Sequence, residues 1–357
     1  MDMIARMTAV VGGAVALMRR MGTPAHQAVG AEPVIPRARK QGTMTLKMPV
    51  AHGWRDGRLP ACAPGLKVNA FASGLDHPRW IEVLANGDVL VAESTEEPEP
   101  PRTLMDHAAQ ATMRRVKAIG KSANRVSLWR DADGDGVAET RTVFVEGQRQ
   151  PFGMALAGGR FYLGNTDGIV AFNYAPGDTA LAGPGERLVE FRPHGHWTRS
   201  LIASPDGSRI YAGVGSLSNI GDHGLEAEEG RAAIWELDVA TGQARVFASG
   251  LRNPVGLAWE PVTGRLWTVV NERDGLGDET PPDYLTSVED GGFYGWPWCY
   301  WDRIVDDRVP QDPAMVACAI TPDYALGGHT ASLGLCWMPE GTLPGFGSGM
   351  VIGQHGS

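Results

Sequence analysis

One phrase recurs along this chain. A turn leads into a short run of small or apolar residues, a Gly or Asp-Gly turn follows, and an alternating strand comes next. It runs from Leu75-Asp76-His77-Pro78-Arg79-Trp80 to Gly87-Asp88-Val89-Leu90-Val91, and from Gln150-Pro151-Phe152-Gly153-Met154-Ala155-Leu156 to Arg160-Phe161-Tyr162-Leu163. It runs again from His196-Trp197-Thr198-Arg199-Ser200-Leu201 to Ile210-Tyr211-Ala212, and from Arg252-Asn253-Pro254-Val255-Gly256-Leu257-Ala258-Trp259 to Gly264-Arg265-Leu266-Trp267-Thr268-Val269. A fifth copy opens at Thr330-Ala331-Ser332-Leu333-Gly334-Leu335. Hairpin-linked alternating strands recurring in this way are the sequence pattern of propeller blades. The predicted fold is all-β, a β-propeller with at least five four-stranded blades; a β-sandwich with irregular repeats is the alternative. The innermost strand of a blade borders the central channel, and its first residues face the channel mouth. His196, Arg252, Asn253 and Thr330 each open such a strand, so a propeller should gather them at one end of its axis.

The 47 Gly and 25 Pro supply the many tight turns this fold needs. With 43% hydrophobic and 20% charged residues, the 357-residue chain can bury a large core. A formal charge of −9 argues against a nucleic acid partner, because gripping phosphates takes clustered Lys and Arg. Residues 103–120, which include Met105, Met113, Arg114, Arg115 and Lys117, have helical spacing and are expected as an insertion at the edge of the first blade. The cysteines, Cys62, Cys299, Cys318 and Cys336, form no C-x-x-C pair. Cys299 and Cys318 are either bridged across one loop in an oxidising compartment or buried as free thiols.

Arg6 precedes an apolar run from Thr8 to Met18, which has the length of a signal-peptide core and is too short to span a bilayer. With a small-residue cleavage site expected at Val29-Gly30-Ala31, residues 1–31 are expected to be a signal peptide. Arg19 and Arg20 after the run make an uncleaved membrane anchor the alternative. Both place the protein in the periplasm or outside the cell. Residues 32–64 are expected to form a linker and residues 65–357 the propeller domain.

Several side chains can carry chemistry. A histidine at a channel mouth, such as His196 with Arg199 three residues on, can stay neutral near pH 7 and accept a proton; an imidazole satisfied in the core is the alternative. Arg252-Asn253-Pro254 suits clamping a carboxylate or a quinone oxygen, or else caps a blade turn. In Asp131-Ala132-Asp133-Gly134-Asp135-Gly136-Val137-Ala138-Glu139, carboxylates at alternate positions, a Gly for the sharp turn and a fourth carboxylate resemble a calcium loop. Thr142 stands where the helix-loop-helix version has its last Glu, so a polar hairpin is the alternative. Gly291-Gly292-Phe293-Tyr294-Gly295-Trp296-Pro297 presents rings either to a flat ligand or to the core. Glu228-Glu229-Gly230-Arg231 is expected to support the active face.

From Gly65 onward the chain resembles the sorbosone dehydrogenase family, relatives of the soluble pyrroloquinoline-quinone glucose and aldose dehydrogenases. The resemblance rests on five segments in order: Gly74 to Trp80, Arg130 to Gly136, Glu228 to Glu236, Gly250 to Ala258 and Gly291 to Pro297. It implies a six-bladed propeller whose last segment lies past Ser357, so that the last blade is incomplete in this chain. It implies His196 as the catalytic base, Arg252 and Asn253 as the pair touching the quinone, Thr330 as a quinone-binding threonine and Gln148 on the substrate side. His355 falls near a lysine that contacts the cofactor in the glucose type. Backbone carbonyls of the loop Asn271-Glu272-Arg273-Asp274 are implied as calcium ligands, with Arg273 and Asp274 standing where relatives have Gly-Pro. Ser216 replaces an Asp that orients the base in glucose-type relatives, and Asp222 or a water is expected to substitute.

The function these residues imply is a quinoprotein dehydrogenase. His196 takes the hydroxyl proton of a sugar hemiacetal or hydrated aldehyde, and hydride leaves the same carbon for pyrroloquinoline quinone, with calcium and Arg252 stabilising the developing charge. Electrons then pass to an external acceptor. A calcium-dependent propeller lactonase would need carboxylates and amides converging on an axial metal, and a propeller binding module would need no axial base.

Overall fold

The protein is described by a computed structural model over residues 22–39, 57–98, 100, 101, 103–115 and 119–356. Strands form where the alternation predicts them, each running antiparallel to the one before. The first sheet is β1 (Pro78–Val83), β2 (Val89–Glu93), β3 (Arg125–Arg130) and β4 (Thr140–Val145). The second is β5 (Met154–Ala157), β6 (Arg160–Asn165), β7 (Gly168–Asn173) and β8 (Glu186–Glu190). The third is β9 (Leu201–Ala203), β10 (Arg209–Val214), β11 (Ala233–Asp238) and β12 (Ala244–Ser249). The fourth takes β13 (Pro254–Glu260), β14 (Arg265–Val270) and β15 (Pro282–Ser287), then a long excursion holding the hairpin β16 (Cys299–Tyr300) and β17 (Ile304–Val305), before β18 (Tyr324–Gly328) closes it. The fifth phrase supplies a two-stranded pair, β19 (Ser332–Met338) and β20 (Gly349–Gln354). Among the described residues the propeller therefore has four complete four-stranded blades and this pair, where at least five complete blades were expected: the fifth phrase contributes only two strand segments to this sequence.

The inner strands β1, β5, β9, β13 and β19 neighbour one another in succession, which is how blades follow one another around an axis. Small residues there are a steric requirement. A Cβ on Gly256 of β13 would fall 2.6 Å from Cβ of Leu335 on β19, and on the neighbouring strand β10 one on Gly213 would fall 2.2 Å from the carbonyl oxygen of Pro254 in the next blade. The core lies between blades in layers. Leu90, Leu128 and Phe144 of the first pack with Met154, Phe161 and Leu163 of the second. Tyr162 and Ile169 pack with Ile210, Ala212 and Val214, and Tyr211 and Ile234 with Leu257, Val270 and Tyr284. Phe144 meets Phe161 edge to face at 5.2 Å, the favoured geometry for aromatic pairs. Each such side chain, fully buried, stabilises the fold by about 1.5–3 kcal/mol.

The expected helical insertion is present as a helix over Leu104–Arg115, between β2 and β3. The N-terminal segment is tied to the fourth blade. Thr23 N donates to Glu279 at 2.7 Å, Arg39 N to the Leu276 carbonyl at 2.7 Å, and Gly30 exchanges two backbone hydrogen bonds with Ala325 of β18. The apolar run Thr8–Met18 and residues 40–56 of the expected linker lie outside the described residues. No helix of the described residues is long and apolar enough to cross a membrane. All four cysteines are free thiols; Cys299 is buried and Cys318 exposed.

Candidate active site

The expected residues lie in the loops ahead of the inner strands, Asn253 directly before β13, Arg252 and Thr330 two residues before β13 and β19, and His196 five residues before β9, and they meet through a chain of hydrogen bonds. Ser216, just past β10, is its hinge. Its carbonyl accepts from the backbone N–H of His196 at 3.1 Å and lies 2.9 Å from the imidazole Nδ1, while its own N–H donates to the Arg252 carbonyl at 2.8 Å. The Asn253 carbonyl accepts from Asn271 N at 3.1 Å. Asn271 Nδ2 donates to Asp283 Oδ2 at 3.3 Å, and that same oxygen accepts from the Thr330 hydroxyl at 3.0 Å. Thr330 and Ala331 are backbone partners of Gly356 and His355. His196, Arg252, Asn253 and Thr330 are thus joined across three blades. His355 sits exposed beside Thr330.

The orientation of His196 comes from Ser216 itself. A main-chain carbonyl only accepts, so Nδ1 carries the proton and the neutral ring leaves Nε2 with its lone pair. The Ser216 hydroxyl lies 3.2 Å from the same Nδ1. Asp222, expected as the substitute, instead accepts from Asn219 N and Ile220 N of its own turn. Burial, and then the nearby charge of Arg252, push the imidazole pKa down to about 3, with Arg231 and Arg199 adding to the effect. The two further arginines hold the loop from beneath. Arg199 is fully buried and donates to the carbonyls of His196 and Thr198, and Arg231 donates to those of Arg192, His194 and Ser216. Glu228 accepts from Leu217 N and Ser218 N, so the Glu228-to-Arg231 segment does support this face, through backbone groups.

Arg252 is 5% exposed and braced on all sides. It donates to the Glu272 carbonyl at 2.7 Å and to Asn219 Oδ1 at 3.0 Å, contacts Asn271 Oδ1 at 3.3 Å, and faces the Asp274 carboxylate at 3.5 Å. Asn253 Oδ1 is buried without a hydrogen-bond partner, an unusual condition for a native amide. Between this amide and the base lies Gly215. A Cβ there would fall 2.3 Å from Asn253 Oδ1 and 2.6 Å from His196 Cβ.

The remaining expected residues lie farther out along the network or apart from it. Asp274 pairs with His329 Nδ1 at 3.3 Å, which raises the imidazole pKa to about 9. The guanidinium of Arg273 is wholly buried and taken up by Glu272, Asp306 and the carbonyls of Pro297 and Cys299. What Arg273 can offer a metal is its main-chain oxygen. Gln148 holds Asn165 Nδ2 at 2.9 Å in the second blade. Asp131, Asp133, Asp135 and Glu139 sit in the β3–β4 hairpin, with their ligand atoms all within 4.8 Å of one another. Asp131 there accepts from Gly134 N and Gly136 N. Asn219 and Asp283 were not expected at the site, and Asn271 was expected only through its backbone carbonyl, not through the side chain that meets Arg252 and Asp283. The only sequence signal for Asp283 was an acid inside the otherwise strand-like run Tyr284-Leu285-Thr286 that follows it.

A family model described as TrAA12-like matches residues 101–309, more than half of the sequence. The chain belongs to the TrAA12-like family. For this TrAA12-like chain, a curated relative is the pyrroloquinoline quinone-dependent sugar dehydrogenase of Hypocrea jecorina, 22% identical over 271 residues that take in 68% of this chain and 57% of the relative. The chain spans about half the length of the curated relatives it matches. Among solved structures, the iodide structure of a Trichoderma reesei carbohydrate-active enzyme of family AA12 superposes with a TM-score of 0.63 at 18% identity, over 83% of this chain and 77% of that one. The holo form of the pyranose dehydrogenase PQQ domain from Coprinopsis cinerea gives 0.57 at 20% identity, over 76% and 71%. These likenesses fix the fold as a propeller.

Proposed function

We propose that this chain is the propeller of a quinoprotein dehydrogenase that oxidises a sugar or an aldehyde with pyrroloquinoline quinone and calcium. The observation that carries the reading is the neutral His196 imidazole, held through Nδ1 beside the buried Arg252 cation and the unpartnered Asn253 oxygen. Membership of the TrAA12-like family and the named activity of the Hypocrea jecorina relative support it.

The residues present fit the quinone. The desolvated Arg252 guanidinium suits an anionic group of a flat, polar ligand, and the buried, unpartnered Asn253 oxygen suits a donor or a metal ion beside it. Arg252 and Asn253 would hold it, with Thr330 and His355 at its rim and Gln148 on the substrate side. In the Asn271–Asp274 loop the Glu272 and Asp274 carbonyls accept from Arg252 and Arg308 at 2.7 Å, so the Arg273 main-chain oxygen and, on leaving His329, the Asp274 carboxylate are what this loop would offer its calcium. When bound, the quinone with its calcium supplies the two-electron acceptor for the hydride of the substrate carbon. His196 Nε2 would take the proton of the hydroxyl group on that carbon, and burial together with the charge of Arg252, Arg231 and Arg199 keeps the imidazole unprotonated beforehand. The Asp131, Asp133, Asp135 and Glu139 hairpin is read as a second, structural calcium site. The lactonase alternative would put Asn219 and Asn271 on a metal, but their side-chain oxygens face the Arg252 guanidinium instead.

The same reading takes the complete ring as six-bladed, the protein as periplasmic or secreted with a possible N-terminal anchor, and the electron acceptor as an external one. The test is to add quinone and calcium to the full chain and follow dye reduction with an aldose and with an aldehyde. Arg252→Ala should weaken both quinone retention and rate. Quinone bound equally well by Arg252→Ala, or no dye reduction with any aldose or aldehyde, would count against the reading.

A further inference from the structure

The loop that carries the candidate calcium ligands occupies residues 271–281, between β14 and β15, and has no regular structure. Without a ladder, each of its buried backbone groups needs a partner of its own. The first half finds partners at the reacting centre. Glu272 N donates to Asp283 at 2.8 Å, and the Glu272 and Asp274 carbonyls accept from Arg252 and Arg308, each at 2.7 Å. The second half is held from elsewhere, by a piece of chain about 244 residues earlier. The Leu276 carbonyl accepts from Arg39 N at 2.7 Å, and the Thr280 hydroxyl, buried with its residue, donates to the Pro36 carbonyl at 3.1 Å. Beside these bonds Ile35 packs on the core cluster that contains Leu276, Tyr284 and Ala325. A free linker would place no side chain there. Residues 35–39 follow Val29-Gly30-Ala31, so they stay with the chain whether or not it is cleaved at that point.

These ties reach the metal ligands through the main chain. Leu276 stands two residues past Asp274, so fixing its carbonyl fixes where the chain leaves the Arg273 oxygen and the Asp274 carboxylate. The next carbonyl, that of Gly277, accepts from His329 Nε2 at 2.8 Å, while His329 Nδ1 lies 3.3 Å from the Asp274 carboxylate. With Gly277 held in place, His329 keeps one partner when Asp274 turns to a metal. A site built from loop atoms binds a cation tightly only where supporting groups have those atoms in position before the ion arrives.

We propose that residues 35–39 are a strap that positions the calcium loop, so that a segment ahead of the propeller sets how tightly the metal is held. This rests on the reading of residues 271–274 as the calcium loop. The test uses the full chain carrying Asp133→Ala, so that the β3–β4 hairpin does not contribute a second site, and adds Thr280→Val, Thr280→Ser or Arg39→Pro. Hydrogen exchange read by mass spectrometry follows the amides of residues 275–280 without metal. Isothermal titration follows calcium on the quinone-saturated chain. Thr280→Val, which loses the hydroxyl, and Arg39→Pro, which loses the N–H, should each speed exchange of this stretch and weaken calcium binding on the order of tenfold. Thr280→Ser, which keeps the hydroxyl, should match the Asp133→Ala chain in both. Gly30→Pro, which breaks the pairing with Ala325 and leaves Pro36 and Arg39 in place, should change neither. If Arg39→Pro does not fold, the two Thr280 variants carry the comparison. Unchanged exchange in the folded variants overturns the strap. Faster exchange with unchanged calcium affinity makes the segment a structural tie and overturns its positioning role. If the Asp133→Ala chain takes up no calcium at all, the calcium reading of the loop fails and the proposal falls with it.

Discussion

The imidazole Nδ1 of His196 lies 2.9 Å from the main-chain oxygen of Ser216. A backbone carbonyl carries no proton and no titratable charge, so this orientation does not depend on pH or on the Ser216 side chain. Ser216→Ala should therefore keep dye reduction within a few-fold of the parent. His196→Gln should retain the fold and quinone binding and lose about 10²- to 10⁴-fold in turnover, the usual cost of removing a general base. Steady-state dye reduction on both variants checks this, and parent-like turnover in His196→Gln would remove it as the base.

The depressed pKa of the same ring has a consequence for stability. His196 is neutral in the folded, quinone-free protein down to about pH 3, whereas the unfolded chain binds a proton near 6.5. Between these values the unfolded state holds more protons. Stability from this group is therefore complete above pH 6.5 and declines as pH falls toward 3. The drop in Tm between pH 7 and pH 4.5 should be smaller in His196→Gln than in the parent, as measured by calorimetry.

Gly215 separates the base from the Asn253 amide with no room for a methyl group. Gly215→Ala must displace one or the other. Because misplacing a reacting group by about 1 Å can lower a rate on the order of 10²-fold, turnover should fall by about that factor. Tm should move far less than turnover. Parent-like kinetics in this variant would mean that the spacing is not functional.

In the β3–β4 hairpin, Asp133 lies among four carboxylates with a common centre. Calcium should raise Tm of the parent, and Asp133→Ala should reduce that rise without changing quinone affinity, since the hairpin is far in sequence and sheet order from Arg252. A calcium-independent Tm in the parent would leave the segment as a turn.

Much of this was legible in the sequence. That His196, Arg252, Asn253 and Thr330 would lie near one another could be read because a propeller places the loops that lead into the inner strands of its repeats around one axis, although His196 stands five residues ahead of β9. The helix over Leu104–Arg115 was visible as a break in that repeat. Asp283, Asn219 and the side-chain role of Asn271 were not visible, because each comes from a different loop or strand and acquires its partner only when the third and fourth blades meet at Arg252. The support from Arg199 and Arg231 was hidden for a related reason: their partners are main-chain oxygens, and any residue type can supply those. The number of complete blades was overcounted because a phrase announces a blade by its inner strands, and the outer pair has no signature of its own.

The double backbone hydrogen bond between Gly30 and Ala325 covers part of β18, the outermost strand of the fourth blade. An uncovered outer strand is a template on which a neighbouring molecule can add a strand of its own. On the uncleaved-anchor alternative, in which the segment around Gly30 stays with the chain, Gly30 blunts that template and opposes self-association. Variants that release this segment, such as Gly30→Pro, would be expected to keep their turnover and lose their solubility, which light scattering would register before any assay of activity did.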